Sequence, residues 1–268
     1  MYPFQYQRAD SLKNAMAALA SDPDAKVLAG GMSLIPSMKL RLSPISRLID
    51  LAAIPGIDQI SVQATEVEIG AMTRHYKVAS SDELARALPV LKSLAGGIGD
   101  VQVRHRGTIG GSIANADPAA DYPASVLGLG ATIVTTQRTI PGDNFFKGLF
   151  ETALRPDEIV QAIRYPIPQA AVYLKFANLA SRFAIVGVFL AKFKDSVRVS
   201  VTGAAPCVFR VKEFESALTK SFDSKAIADV TFRTKDFIRD VHSTPEHRAH
   251  LVRVLTERAV TACRQMDA

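Results

Sequence analysis

A chain of 268 residues with 48% apolar and 22% charged residues has globular composition and is long enough for one large domain or two modest ones. Its net charge of +6 is dispersed, and no RNP-like or zinc-finger pattern accompanies the basic residues, so nucleic acid is not the expected partner. No apolar run approaches the ~20 residues that span a bilayer, and MYPFQYQRAD lacks a charged-then-apolar signal layout, so a cytoplasmic chain without a membrane span is expected.

The first element read from the sequence is an amphipathic helix from Ser11 to Ala20, with Asp10 as its cap. A short strand over 25–28 then runs into Gly30 and Gly31, and Ser33 is placed to cap a second helix through Leu40, with Pro36 tolerated in its first turn. Residues 47–51 read as a strand, and 59–73 alternate as paired strands around Ala64, Thr65 and Glu66. Ser81, Asp82 and Glu83 start a helix that Pro89 interrupts, and a further helical stretch ends near Gly96 and Gly97.

The stretch 106–123 is rich in Gly, Asn, Asp and Pro, and it reads as a long working loop rather than a regular element. A helix over 124–129 and strands over 131–136 and 158–165 follow, and Pro166 and Pro168 mark a boundary. Beyond it come apolar strands over 172–176, 184–193 and 197–202. The last helix is expected to open on a capping box of Ser243 and Glu246 and to bury Val252, Leu255, Ala259, Val260 and Cys263.

Two glycine-rich turns carry the chemistry. Ala29-Gly30-Gly31-Met32-Ser33 joins a strand to a helix, which gathers backbone N–H groups beside a positive helix terminus and suits a phosphate oxygen. Thr108-Ile109-Gly110-Gly111-Ser112 repeats the device with two hydroxyls, so the pair could grip a diphosphate from both sides. Each turn alone is a weak signal, because glycine also serves turn geometry. Neither fits GxGxxG, and no GxxxxGK[ST] is present, which sets aside Rossmann and Walker sites.

The remaining polar residues add no catalytic or metal constellation. His242, His247 and His250 fall on the polar side of the last helix and read as surface residues; His105 is notable only for preceding the second turn. Cys207 and Cys263 lack CxxC spacing, and an iron–sulfur cluster needs about four thiolates, so any cluster must sit on a partner chain.

AGGMSLIPSMKLRL at 29–42 and VRHRGTIGGSIANADPAADYPA at 103–124 resemble the FAD-binding medium subunits of the molybdenum hydroxylases, most closely the carbon monoxide dehydrogenase medium-subunit group. Weaker similarity runs through FFKGLFETALRPDEIV at 145–160 and EHRAHLVRVLTERAV at 246–260. The resemblance implies an α+β fold. A two-lobed FAD-binding domain of the vanillyl-alcohol oxidase-like type would occupy 1–168, with lobes of about 1–55 and 56–168. A smaller α/β domain of the carbon monoxide dehydrogenase flavoprotein type would occupy 169–268.

It also implies non-covalent FAD with its pyrophosphate on Ala29, Gly30, Gly31, Met32 and Ser33 and on Thr108, Ile109, Gly110, Gly111 and Ser112. Asp121 matches an acidic position that holds the cofactor; it could instead cap the helix that Pro123 begins. Lys175 matches a lysine near the flavin ring, or is an exposed strand lysine. Met32 stands where His or Gln is common, and Phe183 where an aromatic hydroxyl is common, which removes a hydrogen-bond donor.

The implied role is an electron relay to an external acceptor. A molybdenum-containing large subunit would oxidise the substrate and an iron–sulfur small subunit carrying 2Fe–2S clusters would connect it to this chain, in a dimer of heterotrimers. A self-contained flavin oxidase or reductase of the same superfamily, and a scaffold without cofactor, are the competing readings.

Overall fold

The computed structural model describes residues 1–266. Its first lobe is a three-stranded parallel sheet. β1 (Gln5–Arg8) leads through α1 (Leu12–Ala20) to β2 (Lys26–Leu28), and α2 (Leu34–Lys39) leads to β3 (Arg47–Asp50), which lies centrally in the order β1-β3-β2. Parallel neighbours need crossover connections, and the two helices supply them. Ala15, Leu19, Ile49 and Leu51 form the core of this lobe. The cap of α1 is Ser11, whose hydroxyl accepts from Asn14 N, while Asp10 accepts from the Asn14 and Ser11 side chains instead.

The second lobe is a five-stranded antiparallel sheet in the order β4-β5-β10-β6-β7. After β4 (Ile60–Val62) and β5 (Glu66–Gly70) the chain makes six short helices: α3 (His75–Ser80), α4 (Asp82–Ala87), α5 (Pro89–Gly96), α6 (Val101–Arg106), α7 (Ile109–Asn115) and α8 (Tyr122–Leu129). It then returns through β6 (Thr132–Thr135), β7 (Thr139–Pro141), a small ribbon of β8 (Phe146–Gly148) and β9 (Glu151–Thr152), and β10 (Val160–Pro166). The expected loop at 106–123 is therefore half helix. Pro89 does not merely break a helix; it occupies the first turn of α5, where its missing N–H costs nothing.

The C-terminal unit is an antiparallel sheet of β11 (Ala170–Ala177), β12 (Ala184–Lys192), β13 (Val197–Thr202) and β14 (Phe209–Arg210), followed by α9 (Lys212–Lys220) and α10 (Pro245–Met266). β12 is apolar up to its last residue, Lys192, because both faces are covered, one by α10 and the other by α8. α10 buries Val252, Leu255, Ala259, Val260 and Cys263 as its spacing predicts, and Leu251 besides, but Thr244, not Ser243, caps it by accepting from His247 N.

α8 ties the two parts together. All eight of its residues are buried, the mark of a helix packed on every side. Gly128 lets it press onto the C-terminal sheet: a Cβ there would lie 2.4 Å from the Phe189 ring and 2.9 Å from Ser200 Oγ. Ser200 Oγ donates to Ala124 O at 2.6 Å, and Arg198 Nε donates to Leu127 O at 2.8 Å. Phe189, Ala191 and Val208 accordingly share one core with Val67, Ile69 and Ile163 of the second lobe.

Candidate cofactor site

The two glycine turns meet backbone to backbone. A Cβ on Gly30 would lie 2.3 Å from Arg106 O and 2.6 Å from Gly107 Cα, so only glycine permits this crossing. One on Gly111 would lie 3.2 Å from Ala29 Cβ and 2.9 Å from Thr108 Oγ1.

The first turn is built to donate. Gly31 takes φ +74°, which swings the chain from β2 into α2. Among the described residues, the N–H groups of Gly30, Gly31, Met32 and Ser33 have no backbone acceptor, and Met32 and Ser33 are exposed. The expected Ser33 cap does not form. Ser33 already has helical backbone angles, whereas a capping side chain needs an extended residue.

The second turn is different, and the expectation of a matching N–H nest is corrected. Residues 71–75 run antiparallel to it and consume its donors: Ile109 N donates to Thr73 O, Gly110 N to Ala71 O, and Gly107 O accepts from His75 N. Gly111 N donates to the Thr108 hydroxyl, which caps α7, and Ser112 N to Thr108 O. This turn offers a bare glycine surface and the half-buried Ser112, and only the buried Thr108 N–H is left without a backbone or hydroxyl acceptor among the described residues. Beneath it lie His75, Thr73 and Tyr122, whose Nδ1, Oγ1 and hydroxyl are buried without a hydrogen-bond partner among the described residues. Burial, with Arg104 nearby, holds the His75 imidazole neutral down to about pH 4.

At the start of α8 stands Asp121, 5% exposed, and its side chain caps nothing. Its carboxylate accepts instead from Tyr173 Oη at 2.5 Å and from Lys175 Nζ at about 3 Å, with Lys175 also donating to Gly97 O at 2.9 Å. Burial raises the Asp121 carboxyl against the pull of Lys175 and Tyr173, and it drives the Tyr173 hydroxyl well above the ordinary tyrosine range, so Tyr173 remains a donor. Lys175 is largely covered, which removes the reading of an exposed strand lysine.

Phe183 is half exposed at the end of the β11–β12 hairpin, and Met32 is exposed on the first turn. His105 points outward and stacks on Tyr76. Sequence reasoning missed Tyr173, Gly97 and His75. Tyr173 was accessible to it, because residues i and i+2 of a strand share a face and Lys175 was already singled out.

This geometry defines a two-lobed protein in which two glycine turns cross backbone to backbone, the first presenting amides that suit an anionic group, and in which Asp121 supplies a buried carboxylate that can accept from a hydroxyl. Residues 2–168 match the family model for the FAD binding domain in molybdopterin dehydrogenase. The chain is 33% identical to the glyceraldehyde dehydrogenase medium chain of Sulfolobus acidocaldarius, covering 97% of this chain and 98% of that one. It is also 33% identical to the carbon monoxide dehydrogenase medium chain of Hydrogenophaga pseudoflava, covering 97% and 96%. Its fold superposes on the solved carbon monoxide dehydrogenase of Oligotropha carboxidovorans with a TM-score of 0.88 at 31% identity over 99% of both chains. The chain belongs to the FAD-binding medium subunits of the molybdenum hydroxylases, and it is an oxidoreductase subunit.

Proposed function

We propose that this chain holds one FAD non-covalently across its crossed glycine turns and serves as the relay between an iron–sulfur small subunit and an external electron acceptor. A molybdenum-containing large subunit would carry out substrate oxidation. The observation that carries this reading is the Gly30–Gly107 crossing, which sets four N–H groups without backbone acceptors beside the bare surface of Gly111.

In this reading Gly30, Gly31, Met32 and Ser33 donate to the pyrophosphate and Ala29 borders it. Thr108, Ile109 and Gly110 lock the opposing wall, while Gly111 and Ser112 face the ligand. Asp121 accepts from a cofactor hydroxyl, and Lys175 fixes both that carboxylate and the Gly97 turn. Bound FAD supplies a centre that exchanges one or two electrons, so it can join single-electron carriers to a two-electron acceptor. The protein side contributes binding, orientation and charge.

The proposal includes the boundary at 168, the lobes of about 1–55 and 56–168, and a C-terminal domain over 169–268, in keeping with the three larger sheets, which fall one to each of these parts beside the two-stranded β8–β9 ribbon. It includes a dimer of heterotrimers in the cytoplasm; no helix among the described residues is long and apolar enough to cross a membrane. The chain is read as incomplete alone. Cys207 and Cys263 lie in different cores, and no group of three His, Cys, Asp or Glu side chains among the described residues is arranged to hold a metal. Purified chain should show the visible bands of oxidised flavin at one FAD per chain, with neither molybdenum nor stoichiometric iron. A colourless folded protein that takes up no added FAD would refute the reading.

A further inference from the structure

The turn 117–121, which carries Asp121, is held chiefly by the C-terminal sheet. Thr202 Oγ1, at the end of β13, lies 2.7 Å from both Pro118 O and Ala120 O, and Gly203 N donates to Pro118 O at 2.7 Å. From β11, Tyr173 and Lys175 close on the Asp121 carboxylate.

Tyr173 reaches Asp121 only because the next strand gives way. Gly187 lies in the interior of β12, where glycine weakens a sheet, and its φ is not positive. A Cβ there would lie 2.4 Å from Tyr173 Oη and 2.8 Å from Thr202 Cγ2. Three neighbouring strands thus contribute a tyrosine, a gap and a threonine to one device.

We infer that Tyr173 is a positioning residue for the cofactor, acting through Asp121, and that the C-terminal sheet is thereby part of the FAD site. The inference rests on the reading that the chain binds FAD. An ionised carboxylate offers about four acceptor positions. Tyr173 and Lys175 fill some of them and fix the plane of the group, leaving the others aimed for the hydroxyls of a polyol such as the ribityl chain. Thr202 holds the two carbonyls of the turn that precede Asp121, so the carboxylate and its backbone are set by the same sheet.

The test is an FAD titration of the full apo chain, with its melting point recorded for each variant. Tyr173→Phe keeps the ring and removes the donor; the FAD Kd should rise about tenfold, the order expected for one hydrogen bond to a charged acceptor. If Tyr173 acts through Asp121, the double variant with Asp121→Ala should bind no more weakly than Asp121→Ala alone. A tyrosine with only a structural role would instead multiply the two losses. Thr202→Val should also weaken binding, and Thr202→Ser, which restores the hydroxyl, should recover it; this pair decides the matter if Tyr173→Phe does not fold. Wild-type affinity in Tyr173→Phe, multiplying losses, or wild-type affinity in Thr202→Val would overturn the inference. A wild-type chain that binds no FAD would overturn the reading beneath it, a result distinct from any of these.

Discussion

Replacing Gly30 with alanine strikes the crossing of the two turns directly. The new methyl would sit 2.3 Å from Arg106 O and 2.6 Å from Gly107 Cα, against the roughly 3.5 Å at which non-bonded heavy atoms are comfortable. Both obstacles are backbone and cannot rotate aside, so the two turns must part by about 1 Å. Overpacking of this kind costs about 1–3 kcal/mol. The same displacement opens the phosphate cradle, and a loss of that size in binding corresponds to roughly a 5- to 150-fold rise in the FAD Kd. Gly96→Ala is the internal control. Gly96 ends α5, and a Cβ there would meet nothing within 4 Å, so alanine should be neutral or stabilise by up to about 1 kcal/mol. Urea unfolding of the apo chains and flavin fluorescence titration measure both quantities. If Gly30→Ala matches Gly96→Ala in stability and in FAD affinity, the crossing does not shape the site.

Gly111→Val should cost about 1–3 kcal/mol by pressing on the Thr108 cap and on Ala29, and FAD retention on gel filtration should fall with it. Glu158 supports a separate pH dependence: burial alone would raise its carboxyl, but Arg138, Thr135 and Arg155 N hold it at about 2. A depressed folded value stabilises above the unfolded value and is lost as pH falls, so about 3 kcal/mol should disappear between pH 4.5 and 2. Glu158→Gln should remove that slope in urea unfolding, and an unchanged slope would contradict the assignment. His75 acts in a higher window. Its folded value of about 4 against 6.5 means that stability of similar size is present above pH 6.5 and lost as pH falls toward 4. His75→Gln should flatten the wild-type curve over that range.

Elements with strong periodicity or clear punctuation were legible in the sequence. β13 and α10 lie where spacing puts them, because their patterns report burial directly, and the first glycine turn follows β2 as its punctuation suggests. α7 was not legible. Gly110, Gly111 and Ser112 give no helical periodicity, and the helix exists because residues 71–75 and the Thr108 cap take up its first donors. The same partners explain why the second turn looked like an amide nest, since a sequence shows donors but not which are already used. Ser11 and Thr244 displaced Asp10 and Ser243 as caps by one residue, a difference set by local backbone angles. The role of Asp121 turned on partners 52 and 54 residues away, Tyr173 and Lys175, which no local pattern connects to it.

Whether this chain is a flavin relay and not a complete enzyme is tested most directly by anaerobic mixing with aldehyde, carbon monoxide or an N-heterocycle while flavin absorbance is followed. The molybdenum and iron–sulfur subunits are omitted in turn. A relay loaded with FAD should stay oxidised alone and bleach only when both partners and the cognate substrate are present. Bleaching of the chain alone by substrate, at the rate of the full mixture, would contradict the relay and identify a self-contained flavoenzyme.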